Sequence, residues 1–212
     1  MVMKKISIKK LYKKFKTEEV LKGVNVEFES GKIYGIMGLN GSGKSVLFKI
    51  MCGFYMPSSG EVLFDGKSYL RNNEYPPNTR ALIERPTFIP ELSGFENLEL
   101  LASIQNKTSK KQINSSIEIV NLSNEKNKKY KDYSLGMKQK LGIAQAIMDN
   151  PDVLILDEPF NGIDKDSVKK IIDYLKSIKN DKIIIVSSHI SDDLNNLCDK
   201  IFVLNNGKLN DE

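Results

Sequence analysis

The 212-residue sequence has one histidine, two cysteines and no tryptophan. A single histidine excludes a metal centre built on histidines. It leaves acid–base chemistry mainly to carboxylates or to that one residue. Cys52 and Cys198 show no C-x-x-C spacing and sit in apolar patterns. They read as small buried thiols of a reducing compartment, not as a disulfide framework or a zinc site. No apolar run approaches the ~18 residues of a membrane-crossing helix. The longest, at 153–156 and 183–186, are strand-sized. The start, Met1-Val2-Met3-Lys4-Lys5, has no apolar region of the secretory kind. The net charge is also small: 32 Lys+Arg against 27 Asp+Glu leave +5. At 40% hydrophobic and 28% charged, the composition is that of a globular domain with an ample core.

The basic excess is concentrated early, at Lys4, Lys5, Lys9, Lys10, Lys13, Lys14 and Lys16. No single-strand-binding pattern of stacked aromatics accompanies them, and no nucleic-acid partner is expected. These lysines are read instead as the solvated positions of an edge strand, where Lys blocks strand-to-strand association.

Strands and helices alternate along the chain. Strands are expected at 5–11, 24–28, 32–37, 61–64, 81–84, 153–156, 183–187 and 201–204. Helices are expected at 45–52, from the Ser93/Glu96 capping box, from Ser109, from Ser134, from Asp164 and at 191–198. This order implies an α/β fold with a parallel sheet. The middle, about 86–148, contains only helix and loop. It reads as a helical subdomain inserted into a core formed by 1–85 and 149–212.

Two motifs carry chemistry. The first is Gly38-Leu39-Asn40-Gly41-Ser42-Gly43-Lys44-Ser45, between a strand and a helix that continues with Val46. Glycine lets backbone N–H groups curl around phosphate oxygens. The helix N-terminus adds its free N–H groups, Lys44 a charge for the β/γ-phosphates, and the Ser45 hydroxyl a ligand for Mg²⁺. Chance yields on the order of 0.01 such matches in this composition. The second is the strand 153–156 followed by Asp157-Glu158-Pro159. Two carboxylates at a strand's C-terminal end suit a Mg²⁺ holder (Asp157) and a general base for water (Glu158). Together they make a P-loop nucleotide hydrolase.

The remaining motifs are Tyr133-Ser134-Leu135-Gly136-Met137, Asn161-Gly162-Ile163-Asp164 and Ser188-His189. In order and spacing the whole set resembles an ATP-binding cassette (ABC) ATPase, over essentially the full chain. The resemblance implies an α/β fold with a P-loop core on a parallel sheet, an N-terminal antiparallel β subdomain and the inserted helical subdomain, and an ATP-hydrolysing transporter subunit using ATP and Mg²⁺. It implies that Phe15 stacks on adenine, and that Val20 packs beside the nucleotide or simply in the core. Ser134 and Gly136 would contact the γ-phosphate bound by an opposite subunit, although Ser134 alone is a plain helix cap. Asp164 would combine a cap with a place at the dimer interface. His189 would contact the γ-phosphate.

Two departures stand out. Tyr133, Leu135 and Met137 replace the usual Leu, Gly and Gln of the signature. Glu84 occupies the place of a glutamine that ligates Mg²⁺, or is a solvated strand-end carboxylate. Both departures resemble the bacitracin and lantibiotic exporter type. The implied protein is a homodimer, or a heterodimer with a related ATPase. It would sit in the cytoplasm against the inner face of the membrane and drive a separate integral-membrane permease. Alternatives are a soluble ABC ATPase acting on ribosomes or DNA, or a hydrolysis-impaired regulatory subunit.

Overall fold

In the computed structural model, which describes residues 3–70, 74–105 and 108–211, the elements follow one another in chain order. They are β1 (Lys5–Phe15), β2 (Glu18–Glu29), β3 (Lys32–Met37), α1 (Lys44–Met51), β4 (Ser59–Phe64), β5 (Thr79–Leu82), α2 (Gly94–Gln105) and α3 (Lys110–Ile119). Then come α4 (Leu135–Met148), β6 (Val153–Leu156), α5 (Lys165–Ile178), β7 (Ile183–Ser188), α6 (Ser191–Asn195), β8 (Lys200–Asn205) and β9 (Lys208–Asp211). Met1 and Val2, part of the start read from the sequence, lie outside the described residues.

Six strands form one sheet in the order β5-β6-β7-β3-β8-β9, parallel except for β9, which runs antiparallel to β8. The apolar runs of β6 and β7 are buried at every position, because the sheet is covered on both faces. Val153, Ile155, Ile183 and Ile185 join a cluster with Leu47, Phe48 and Met51 of α1 and with Ile6, Ile8 and Phe28 of β1 and β2. Leu154, Leu156, Ile184 and Val186 point the other way, into a cluster with Leu98, Ile117, Leu141 and Leu175 of α2 to α5. Strict alternation along each strand splits one sheet between two cores.

The smaller sheet is antiparallel, in the order β2-β1-β4. The edge-strand reading of the early lysines is therefore wrong, because β1 is the central strand. Ile6, Ile8 and Leu11 are buried, while Lys9, Lys10 and Lys14 remain solvated. One face of this sheet packs on the core and the other meets water, so a central strand can carry lysines. Register shifts between Ile8 and Leu11, with Lys10 at φ 46°, disturb the alternation. The expected strand at 81–84 stops at Leu82, since Glu84 adopts φ 64°. The helix at 191–198 ends at Asn195. β9 was not anticipated; it follows the Asn206-Gly207 turn, where both residues have positive φ, as a two-residue hairpin requires.

Helix starts follow the capping signals. Ser93 and Glu96 exchange hydrogen bonds reciprocally ahead of α2, and Ser109 with Gln112 does the same for α3. Ser134 accepts from Met137 N–H at 3.2 Å and Asp164 from Ser167 N–H at 2.9 Å. Register then assembles the site. Met37 pairs with Ser188 and Leu156 with Val186. Residues 38–45, 157–158 and 189 thus leave the same C-terminal edge of the sheet, where α/β folds bind ligands.

Candidate functional site

The loop after β3 turns at Gly41 (φ 81°) and Gly43 (φ 107°) before α1 begins at Lys44. A Cβ on Gly43 would stand 3.2 Å from Val20 Cγ1, so Val20 packs against the loop itself. Leu39, Asn40 and Gly41 are exposed, and Gly38, Ser42, Ser45 and Val46 are half-buried. The Ser42 hydroxyl oxygen is buried with no hydrogen-bond partner among the described residues. It lies against Gly38, where a Cβ would stand 2.7 Å from it, and is an unused polar group within the loop.

Lys44 is 5% exposed, and its ammonium donates to the carbonyl oxygens of Gly38 (2.6 Å) and Leu39 (3.3 Å). It also stands 3.2 Å from Glu158 Oε1. That contact is an ion pair without hydrogen-bond geometry, so the buried Oε1 keeps an unused acceptor position. Glu158 Oε2 lies 2.8 Å from His189 Nδ1. The carboxylate of Glu158 is thus suspended between an ammonium and an imidazole. Asp157 is held by two hydroxyls, each 2.5 Å away: Ser45 donates to Oδ2 and Ser187 to Oδ1.

Ser187 was missed by sequence reasoning. Its hydroxyl also accepts from the Glu158 N–H at 2.9 Å, so one serine orders both carboxylates. Its place in an apolar strand next to Ser188-His189 was the available signal, since parallel pairing of β6 with β7 sets Ser187 beside Asp157.

The other expected residues are placed as follows. Glu84 does not meet Ser45 or Asp157 in a hydrogen bond; it pairs with Lys49 Nζ at 2.5 Å. That pairing raises the Lys49 pKa. Glu84 nevertheless lines the same groove of about 390 Å³, with Ser45, Arg85, Leu135, Gln139, Asp157, Glu158, Asn161 and Gly162. Phe15 is half-exposed; its ring meets Tyr55 edge-on at 5.5 Å, and Lys13 Nζ lies 4.6 Å over it. Ser134 is exposed at the start of α4. Gly136 has no room for a side chain, because a Cβ would stand 2.3 Å from the carbonyl oxygen of Gly162. Asp164 caps α5 and also receives Lys140 Nζ at 3.2 Å. The Ser167 N–H and hydroxyl, then Lys140, hold its carboxyl down at about 2.

Ser45 Oγ and Asp157 Oδ2 are hard oxygen donors side by side, a fit to Mg²⁺ rather than to a softer metal. Among the described residues no cluster of three His, Cys, Asp or Glu could hold a metal alone. Further ligands would come from phosphate oxygens and water.

The chain matches the ABC transporter family model over residues 21–161. It is 38% identical over 210 residues to the bacitracin transport ATP-binding protein BcrA of Enterococcus faecalis, covering 98% of this chain and 68% of that one. It is 33% identical to the lantibiotic transport ATP-binding protein SrtF of Streptococcus pyogenes, covering 96% and 88%. Among solved structures it resembles an ATP-binding subunit of an ABC transporter, at 26% identity and TM-score 0.87, covering 96% and 87%. The dimeric, ADP- and Pi-bound cassette MJ0796 has the same fold at 24% identity, TM-score 0.85 and 96% of each chain.

Proposed function

The chain belongs to the ABC transporter family as an ATP-binding, ATP-hydrolysing subunit, and from that premise we propose how its residues divide the task. The loop 38–45 binds the triphosphate. Lys44 then trades its present partners for phosphate oxygens, which leaves Glu158 free to accept a proton from water. Ser45 and Asp157 would hold Mg²⁺, which neutralises phosphate charge when bound. His189 orients Glu158 and reaches the γ-phosphate. Phe15 supports the base, and Val20 and Val46 support the loop. Ser134 and Gly136, remote from their own phosphate loop along the chain, serve the ATP held by a second cassette, identical or related. Asp164 fixes the segment between the two sites. Glu84, paired with Lys49, stands at the groove beside the helical part (86–148), which would pass motion from the core (1–85 and 149–212) to an integral-membrane permease. The assembly would work at the inner face of the membrane. Its cargo class would be that of the relatives named for bacitracin and lantibiotic transport, with export as the proposed direction. No observation favours a role on ribosomes or DNA.

The observation that carries this reading is Glu158, held between Lys44 and His189 beside an Asp157 anchored on Ser45. Glu158→Gln keeps the shape and removes the base. Steady-state hydrolysis should fall by about 10²–10⁴-fold, with ATP affinity retained in a binding titration. Hydrolysis at the parent rate would remove Glu158 from its role.

A further inference from the structure

Helix α4 presents one face to a single stretch of chain. Gly136, Gln139 and Lys140 stand three and four residues apart and share that face. All three meet residues 158–164, between β6 and α5. Gly136 lies against the carbonyl of Gly162. Gln139, 8% exposed, sets Nε2 3.3 Å from the carbonyl oxygens of both Glu158 and Pro159. Lys140, also 8% exposed, reaches Asp164 Oδ2 at 3.2 Å and Ser167 Oγ at 3.3 Å.

Glu158 needs such support. Its φ is 48°, a left-handed conformation that a residue with a Cβ keeps only where its surroundings impose it. Its two backbone groups are taken from opposite sides. The N–H donates to Ser187 Oγ, and the C=O accepts from Gln139 Nε2 at 3.3 Å and from the Asn161 N–H at 3.4 Å. The backbone turn in turn aims the carboxylate between Lys44 and His189.

We infer that Gln139 is a positioning residue for the hydrolytic carboxylate. By donating to the carbonyls of Glu158 and Pro159, its amide fixes the left-handed turn at Glu158. It also joins that turn rigidly to the helix that begins at Ser134. The segment serving one ATP and the helix end serving the other are thereby one body. This rests on the reading of Glu158 as the base.

The test is a double-mutant cycle on the full chain: Gln139→Leu, Glu158→Gln and both together, with hydrolysis and ATP affinity measured for each. Gln139→Leu should lower kcat about tenfold, with ATP affinity unchanged within twofold. In the Glu158→Gln background the same substitution should lower the residual rate no further, because the group it aims is already gone. A further tenfold loss there indicates a general structural role and overturns the inference. So does a parental rate in Gln139→Leu. If the Leu variant does not fold, Gln139→Glu, of the same shape without amide donors, should show the same loss, and a parental rate in it overturns the inference equally. A parental rate in Glu158→Gln is a separate outcome. It removes the base, and this inference falls with it.

Discussion

The Ser187 hydroxyl ties the neighbouring residues Asp157 and Glu158 to β7. It donates to Asp157 and accepts from the Glu158 backbone, so it sets the spacing of the two carboxylates. Ser187→Ala leaves the Asp157 carboxylate on Ser45 alone and the Glu158 N–H without its acceptor. Hydrolysis should fall by about one order of magnitude while ATP affinity holds; equal loss of binding and turnover would point instead to a damaged fold. Residue types and local spacing made Lys44, Ser45, Asp157 and Glu158 stand out in the sequence, and the family resemblance singled out His189. Ser187 and Gln139 did not stand out, because each acts through a backbone group that only strand pairing or helix docking brings near. Glu84 shows the same limit: its partner Lys49 lies on another element, and nothing local announces the pair.

At the scale of elements, α5 illustrates how a cap joins stability to the site. Asp164 accepts from the Ser167 N–H and hydroxyl and from Lys140. Its carboxyl is held at about 2, below its unfolded value near 4. A depressed carboxylate stabilises fully above the unfolded value and loses that contribution as pH falls through the folded one. Loss of the cap in Asp164→Ala should cost about 1 kcal/mol near pH 7, less than the full shift implies because solvent screens this half-exposed carboxylate. The gap between parent and variant in urea midpoint should narrow below about pH 4. A gap that stays constant to pH 2.5 would contradict the assigned cause. Capping signals placed α2 to α5 well, because a cap is a local interaction. The central position of β1 and the existence of β9 escaped, since strand neighbours are set by long-range pairing. A run of lysines says only that one face is wet.

At the scale of the molecule, two cores share one sheet, and the sheet's C-terminal edge gathers the phosphate loop, both carboxylates and the histidine. The exposed N-terminus of α4, with Ser134 and Gly136, packs on residues 158–164 beside that edge, and Leu135 lines the same groove as Ser45 and Glu158. In the proposed account the working unit is two cassettes, each completing the other's site. The most direct measurement is the solution mass of the Glu158→Gln protein by light scattering, with ATP and with ADP, in the presence of Mg²⁺. The account predicts twice the 24.0 kDa of one chain with ATP and a single chain with ADP. A single chain's mass at saturating ATP, both alone and after mixing with a related cassette, would contradict it.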